Sequence, residues 1–169
     1  MAATRASRTL HGSWTRPPDT LARYTAFVER YGAATPDTHA GLLAFRREDH
    51  ALVGVFNFSE IVRGVFRSTY LGYFGFAPHA GQGYMTEGMA LALDVAFRTL
   101  GLHRVEVNIQ PSNVRSLALA GRLGFTREGY SRRYVKIAGR WRDHERHAML
   151  AEDWQALRRK HLPRATRAS

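Results

Sequence analysis

Apolar residues recur at helical spacing in two long stretches of the chain. In the first, residues 20–31, Leu21, Tyr24, Phe27, Val28 and Tyr31 lie three or four positions apart, and Gly32 follows as a stop signal. The second stretch is built from Met85, Met89, Ala92, Leu93, Ala96, Phe97 and Leu100 and is closed by Gly101. Each pattern predicts an amphipathic helix with one apolar face.

Shorter apolar runs predict strands before, between and after these helices. Two such runs joined by a turn pair, such as Ala138-Gly139, indicate a hairpin. Residues 113–123, which begin after Pro111-Ser112 and end at Gly124, predict one more short helix. The predicted strands are residues 42–45, 52–58, 68–76, 103–109, 130–137 and 141–150. Strands on both sides of two helices predict an α+β fold with a mixed central sheet.

The chain has 169 residues, 44% of them apolar, which suits one domain with a substantial core. We expect that domain to span residues 13–155. Residues 1–12 show no periodic pattern and are expected to be disordered. Residues 156–169 are expected to form a basic C-terminal tail, because they hold five cations and no acid.

Composition excludes several classes of protein. The chain has no cysteine, which rules out disulfides, thiolate metal sites and acyl-cysteine intermediates. It has no apolar run of the roughly 20 residues that a membrane span needs, so we expect no membrane partner and a cytoplasmic location. The formal net charge of +11 is carried mainly by arginine and favours polyanions such as nucleotide cofactors, rRNA or the ribosome. A solvated Arg-rich surface without a partner is the alternative.

A glycine-containing turn joins the strand over 68–76 to the second long helix. It reads Ala80-Gly81-Gln82-Gly83-Tyr84. Glycines allow the backbone to approach a ligand, and the first amides of a helix attract anions, so a diphosphate would fit here. A tight connection without any ligand is the alternative. Neither the Rossmann glycine pattern nor a Walker lysine is present, which argues against NAD and ATP.

A family resemblance rests on this loop and on two motifs that follow it. Residues 72–125 contain the glycine loop, then Asn113-x-x-Ser116, then Leu123-Gly124-Phe125, and this order resembles the acetyl-CoA core of the GNAT superfamily. The flanking sequences "VGVFNFSEIVRGVFRSTYLGY" and "GYSRRYVKIAGRWRDH" resemble the Rim-type ribosomal-protein alanine N-acetyltransferases. The resemblance implies the GNAT fold, with a mostly antiparallel sheet flanked by helices.

That family opens with a strand and a helix that have no clear counterpart here. We therefore expect the usual first strand to be missing or replaced. A missing strand would leave a sheet edge free, and a homodimer through that edge is a further expectation.

The resemblance also implies a set of acetyl-CoA contacts. Pantetheine would pair with the strand at Phe74, Gly75 and Phe76, and Asn113 and Ser116 would contact its arm. The pyrophosphate would lie on the amides of the loop and first helical turn, which are Gly81, Gln82, Gly83, Tyr84, Met85 and Thr86. Ala80 replaces the usual glutamine or arginine, and Met85 stands where glycine or alanine is common. Amide contacts survive such changes, so we expect the site to persist with altered affinity.

Acetyl transfer to an amine requires a proton for the departing thiolate and a neutral amine. The resemblance implies Ser116 as the acid, with a helix-surface hydroxyl as the alternative. Asn113 could equally be a plain helix cap. Glu106 resembles the glutamate base of related enzymes, but by strand alternation it could also face solvent. An N-terminal amine has a pKa near 8, about two units below lysine, so a water could replace the base.

Two further groups of side chains could belong to a functional site but also have a purely structural explanation. His144 and His147 are three apart on a predicted strand, so they face opposite sides and no shared metal is expected. Tyr130, Tyr134 and Trp141 could line an acceptor groove or belong to the core.

We therefore expect an acetyl-CoA-dependent N-acetyltransferase that needs no metal. Its acceptor would be the N-terminal α-amine of a protein, with ribosomal proteins favoured, and the basic surface could contact the ribosome. The alternatives are a small-amine or antibiotic acetyltransferase and a non-catalytic RNA- or ribosome-binding module of the same fold.

Overall fold

The computed structural model describes residues 2–32 and 37–162. In this part of the chain six strands form one sheet in the order β1–β2–β3–β4–β6–β5. The strands are β1 (Ala40–Phe45), β2 (Leu52–Val62), β3 (Ser68–Gly75), β4 (Arg104–Ile109), β5 (Thr126–Ile137) and β6 (Arg140–Leu150). All neighbouring pairs are antiparallel except β3 and β4. The predicted mixed, mostly antiparallel α+β sheet is confirmed.

Helices cover both faces of the sheet. They are α1 (Ala2–Ala6), α2 (Arg8–His11), α3 (Leu21–Tyr31), α4 (Tyr84–Asp94), α5 (Val114–Leu123) and α6 (Ala151–His161), with a π-helical turn at Val95–Thr99 after α4. On one face Ala3 and Phe27 pack against Val55 and Phe74. The other face carries the main core beneath α4, α5 and α6. None of the described helices is both long and apolar enough to cross a membrane.

The main core forms because each element turns its apolar face to the sheet. Phe56 of β2, Met89 and Leu93 of α4 and Val105 of β4 are each no more than 1% exposed. Helix α4 approaches β2 closely at Gly88, where an added Cβ would lie 2.7 Å from the Phe56 ring. The glycine therefore sets the distance between this helix and the sheet.

The parallel contact between β3 and β4 is short. Their register contains three pairs and ends at Tyr70 opposite Glu106, although β3 continues to Gly75 and β4 to Ile109. Beyond Tyr70 the two strands have no register pairs, and the sheet is split between them. This split is the feature that positions the candidate site.

Two predicted helix ends are confirmed in detail. Thr20 caps α3 by accepting a hydrogen bond from the Arg23 amide, as the helical pattern over 20–31 suggested. Gly124 ends α5 in the left-handed conformation that favours glycine. These ends were predictable because capping depends on local chemistry.

The two chain ends differ from expectation. Residues 2–11, expected to be disordered, form α1 and α2, and Ser7 and His11 are buried. Polar side chains hold these helices to the sheet. Because the helices have no apolar stripe, the sequence shows no hydrophobic periodicity that would predict them. Helix α6 continues past the expected boundary at residue 155 to His161, and Leu157 beyond that boundary packs against the main core. Residues 163–169 of the predicted tail lie outside the described residues.

Strand β1 is the first strand among the described residues and lies at one edge of the sheet. Its outward-facing Leu43 and Phe45 are 54% and 53% exposed. Such an edge can pair with another strand. The homodimer expected from a missing first strand stays a prediction.

Candidate active site

The end of β3 turns the backbone groups of one residue away from β2 and toward the split. The Phe76 amide donates to the Val53 carbonyl at 3.1 Å, which turns the backbone of Phe76, and by alternation that of Phe74, toward β2. The polar backbone groups of Gly75 then face the split. Of the three residues predicted to pair with pantetheine, Gly75 is the one with this orientation.

The N-terminal helices reach the same end of β3. His11 Nε2 lies 2.8 Å from the Gly75 carbonyl oxygen, and the Ala77 amide donates to Ser7 Oγ at 3.0 Å. The His11 ring also meets the rings of Phe74 and Phe76 edge-on. The segment expected to be disordered therefore borders the candidate site, and no sequence motif indicated this.

The glycine loop has the conformation that an anion site requires. Gly81 and Gly83 have φ of +80° and +91°, and an added Cβ at either would meet nothing within 4 Å. Glycine is needed here for the backbone angle and not for space. Gly83 is the N-cap of α4 without any side-chain cap, so no side chain occupies the first helix amides. The amide of Thr86, one of the predicted phosphate contacts, donates instead to the Gly83 carbonyl at 2.8 Å. Gln82 donates to the Pro78 carbonyl at 3.1 Å and braces the loop.

Two arginines stand beside this helix start. Arg122 of α5 donates to Thr86 Oγ1 at 3.1 Å. The Arg46 guanidinium binds Asp49 and also interacts with the Tyr84 hydroxyl, and both contacts raise the pKa of Arg46. Cations at this position add to the attraction of the helix dipole for phosphate. They were missed from the sequence because both are distant from the loop along the chain.

Met85 is accommodated by glycines in the sheet. Its Sδ lies 2.7 Å and 3.1 Å from where a Cβ would stand on Gly54 and Gly75. The side chain thus packs on the sheet, and only the Met85 backbone can contribute to the loop. This arrangement explains how a bulky residue fits where the family commonly has glycine or alanine.

Asn113 and Ser116 lie at the start of α5. Asn113 is the N-cap, and its Oδ1 accepts the Ser116 amide at 3.2 Å, so the capping role is confirmed. The Ser116 side chain interacts with the Tyr73 hydroxyl of β3, which crosses the split from the opposite side. The structure therefore brings the predicted acid to the split.

Glu106 lies where the split begins. Its neighbours Val105 and Val107 are buried, and its carboxylate accepts a hydrogen bond from Arg104 Nε at 2.8 Å. The same guanidinium donates to Glu128 Oε1 at 2.9 Å, and this contact lowers the pKa of Glu128. Glu106 thus faces away from the main core, as alternation suggested, and has an ionic partner.

Strand β6 places its two histidines on opposite faces of the sheet. His144 and His147 are both buried, and burial lowers the pKa of each, which favours the neutral form. Among the described residues no group of histidine and carboxylate side chains could hold a metal ion.

The aromatics of the β5–β6 hairpin are at the surface and not in the core. Tyr130 and Trp141 are 48% and 59% exposed and line an open pocket of about 340 Å³ with Gln110 and Asp143. The Tyr130 hydroxyl donates to Asp143 Oδ2 at 2.5 Å. The pocket lies beside the end of β4.

Comparisons with known proteins agree with this geometry. The sequence model of a family described as "Acetyltransferase (GNAT) domain" matches residues 1–126. The probable N-acetyltransferase YjcK of Bacillus subtilis (strain 168) is 37% identical over 131 residues, which are 78% of this chain and 71% of YjcK. The ribosomal protein uS5 alanine N-acetyltransferase of Escherichia coli (strain K12) is 42% identical over 110 residues, 65% of this chain and 57% of that protein.

Two solved structures resemble the fold over most of its length. RimJ of Mycobacterium smegmatis in complex with CoA-disulfide matches with a TM-score of 0.78 and 26% identity, covering 95% of this chain and 81% of that one. Spermidine N-acetyltransferase of Vibrio cholerae with CoA and spermine has a TM-score of 0.75 at 20% identity, covering 90% and 88%. The split sheet, the glycine loop and these matches together show that the chain belongs to the GNAT family of acetyltransferases.

Proposed function

We propose that this protein transfers acetyl from acetyl-CoA to the N-terminal α-amine of a protein, with a ribosomal protein as the favoured acceptor. The observation that carries the proposal is the 42% identity with the uS5 alanine N-acetyltransferase, whose own acceptor is a ribosomal protein. The split sheet beside the glycine loop supplies a matching place for the cofactor.

Each part of the site has a distinct task in this proposal. The amides of Gly83 to Met85, with Arg46 and Arg122 nearby, hold the pyrophosphate. The Gly75 amide bonds to pantetheine inside the split, while its carbonyl contacts His11, and Met85 contributes its backbone alone. The thioester then lies near Ser116 at the start of α5, and the acceptor amine approaches Glu106.

The acceptor side favours an α-amine on chemical grounds. Glu106, the predicted base, is ion-paired with Arg104, so an amine that loses its proton easily is the better acceptor. An α-amine has a pKa of about 8 and is partly neutral at pH 7, whereas a lysine amine with a pKa of about 10.4 is not. Such a site acetylates the α-amine faster.

The β5–β6 hairpin supports docking on rRNA. The hairpin carries the exposed Trp141 and four exposed cations; they are Arg132, Arg133, Lys136 and Arg140. Arginine and lysine neutralise phosphate, and an exposed indole can stack on a base. Docking on rRNA would offset the repulsion between this +11 protein and a basic ribosomal-protein tail.

The test uses two peptides that differ only in the position of the free amine. One has a free N-terminal alanine and a blocked lysine, and the other has a blocked N-terminus and a free lysine. With acetyl-CoA and the full chain, mass spectrometry should find acetyl chiefly on the first peptide. Spermine and an aminoglycoside serve as small-amine arms.

The outcomes separate the remaining functions. Acetyl found chiefly on lysine, spermine or the aminoglycoside would contradict the α-amine proposal and favour the small-amine alternative. At 20% identity the likeness to the spermidine enzyme shows the fold alone, so this arm is decided only by experiment. No transfer to any amine, together with salt-sensitive RNA binding, would favour a non-catalytic module.

A further inference from the structure

The outer edge of β1 carries backbone groups that have no strand beside them. The Thr38 carbonyl and the Arg46 amide, at either end of the strand, both bond toward β2. Because backbone direction alternates along a strand, the amides and carbonyls of Gly41, Leu43 and Phe45 point the other way. Among the described residues no strand pairs with them. An edge of this kind is a template for one more strand.

The side chains next to this edge are apolar and exposed. Leu43 and Phe45 lie on the face of the sheet that carries α3, and Leu43 pairs with Val55 of the small core on that face. That core therefore runs out to the sheet edge without a cover. Contiguous exposed apolar residues on a folded protein are typical of an interaction site.

Helix α3 extends the apolar surface beyond the edge. Its Tyr31 packs over Gly41 of β1, and its Phe27 ring contacts Phe74 of β3, yet no residue of the helix is buried. Three more apolar residues of the same stripe are exposed; they are Leu21, Tyr24 and Val28. On the helix surface these three lie past Tyr31, on the side away from Phe27. The stripe thus overhangs the open edge of β1.

The local charge argues for a protein partner and against a polyanion. Residues 19–32 and 37–49, which contain α3, β1 and the turn after β1, hold four arginines and five carboxylates, although the whole chain has a net charge of +11. The excess cations that would attract RNA lie elsewhere. Two copies of this region would not repel each other. Strand β1 itself has the apolar face that the open edge requires, so a second copy supplies a matching strand.

We propose that two copies of this protein form a homodimer by pairing their β1 strands antiparallel about a two-fold axis. Leu43 faces Leu43 of the partner subunit at the axis, and Phe45 covers Gly41 of the partner subunit. The two sheets join into one, and the α3 stripes of both copies meet on the same face of it. This assembly does not depend on the proposed acetyl transfer.

Sedimentation velocity of the full chain tests the dimer. We expect wild type to be dimeric at about 10–100 µM. Leu43→Lys places two like charges opposite each other at the axis and removes a buried apolar contact, so it should raise the dissociation constant at least about 10-fold. Val65→Lys is the matched control, because it makes the same change at an exposed residue of the β2–β3 turn, and it should dimerise like wild type.

The outcomes of this experiment are distinct. A wild type that is monomeric through the whole range would overturn the proposal and leave the edge to a strand of another protein. A dimer that Leu43→Lys leaves intact would overturn it too, because the interface would then lie elsewhere. Neither outcome bears on acetyl transfer, which is measured separately. Leu43 is exposed in a single copy, so the circular dichroism spectrum of the variant should match that of wild type.

An introduced cysteine tests the register without disturbing the charge. The chain has no cysteine of its own, so a single one reports on its own position. Facing residues of a hydrogen-bonded antiparallel pair have Cα atoms about 5.5 Å apart, which a disulfide can span. Leu43→Cys should therefore give a disulfide-linked dimer under mild oxidation at least about 10-fold faster than Val65→Cys. Equal rates for the two variants would overturn the pairing of β1 with β1.

Discussion

His11 Nε2 lies 2.8 Å from the carbonyl oxygen of Gly75 and joins the N-terminal helices to the last residue of β3. The ring is 5% exposed and packs on Phe74 and Phe76. We predict that His11→Ala lowers the free energy of unfolding by about 1–3 kcal/mol, through the lost hydrogen bond and the cavity left by the ring. Chemical denaturation measures this. Arg8→Ala, an exposed change in the same helix, should have an effect below about 0.5 kcal/mol.

Because α4 packs closely on β2, we predict that even the smallest enlargement of Gly88 lowers the stability of the fold. Gly88→Ala would bring a methyl group to 2.7 Å from the buried Phe56 ring. We expect a destabilisation of about 1–3 kcal/mol, which exceeds the gain from better helix propensity. In α5, Gly121→Ala meets nothing within 4 Å and should be neutral or stabilising. Equal effects at the two glycines would contradict this account of α4 packing.

The cofactor loop predicts a separate effect at Gly83. This residue has φ of +91°, so Gly83→Val would distort the turn that presents the first amides of α4. We expect CoA affinity to fall at least about 10-fold, because each lost charge-assisted bond to phosphate is worth about 1.5–3 kcal/mol. Titration calorimetry with CoA measures it, and Gly121→Ala should bind like wild type. Unchanged affinity in a folded Gly83→Val variant would place the cofactor elsewhere.

Asp94 ties α6 to α4. Its carboxylate accepts hydrogen bonds from Arg158 at 2.8 and 3.0 Å and from Trp154 at 3.3 Å, and Arg158 above all holds its pKa below the ordinary value. A lowered folded-state pKa stabilises the protein above about pH 4, and that contribution is lost as the pH falls through the lowered value. Asp94→Asn should therefore lower the Tm at pH 7 by about 2–4 °C.

Acidification should narrow the difference in Tm between wild type and Asp94→Asn. The contribution begins to fall below about pH 4, where Asp94 of the unfolded chain takes up a proton, and is lost as the pH passes the lowered pKa of folded Asp94, so the Tm of the two proteins should approach each other in a thermal scan from pH 7 down to about pH 2. Asp153→Asn changes an exposed carboxylate of α6, the helix that Asp94 contacts, and should shift the Tm by about 1 °C or less. A gap that does not depend on pH would assign Asp94 a packing role.

Glu106 and Glu128 provide a test for the base. Both carboxylates bind Arg104, but only Glu106 lies opposite Tyr70 where the split begins. If Glu106 accepts the amine proton, Glu106→Gln should reduce kcat by about 100-fold or more, while Glu128→Gln stays near wild type. Rates should be measured from pH 6 to pH 9. Similar rates for both variants would leave water as the base.

The fold was largely accessible from sequence because its elements carry local signals. Thr20, Gly32, Asn113 and Gly124 mark helix ends, and the alternation of Val105, Val107 and Ile109 gave both the strand and its buried face. The glycine loop was accessible for the same reason.

The rest depends on contacts between distant parts of the chain. His11 reaches β3 across 64 positions, and Arg122 reaches Thr86 across 36. Helices α1 and α2 are short and polar, so their order comes from tertiary hydrogen bonds and not from periodicity.

The three-pair junction of β3 and β4 divides the sheet into two antiparallel units, β1–β3 and β4–β6, joined along a short seam. Backbone bonding alone couples these units weakly, so their cooperative unfolding relies on the helices packed across the seam. A ligand that bonds to β3 inside the split would brace the seam as an added strand does. Binding should then slow amide hydrogen exchange on both sides of the seam, including in β4 residues that the ligand never touches.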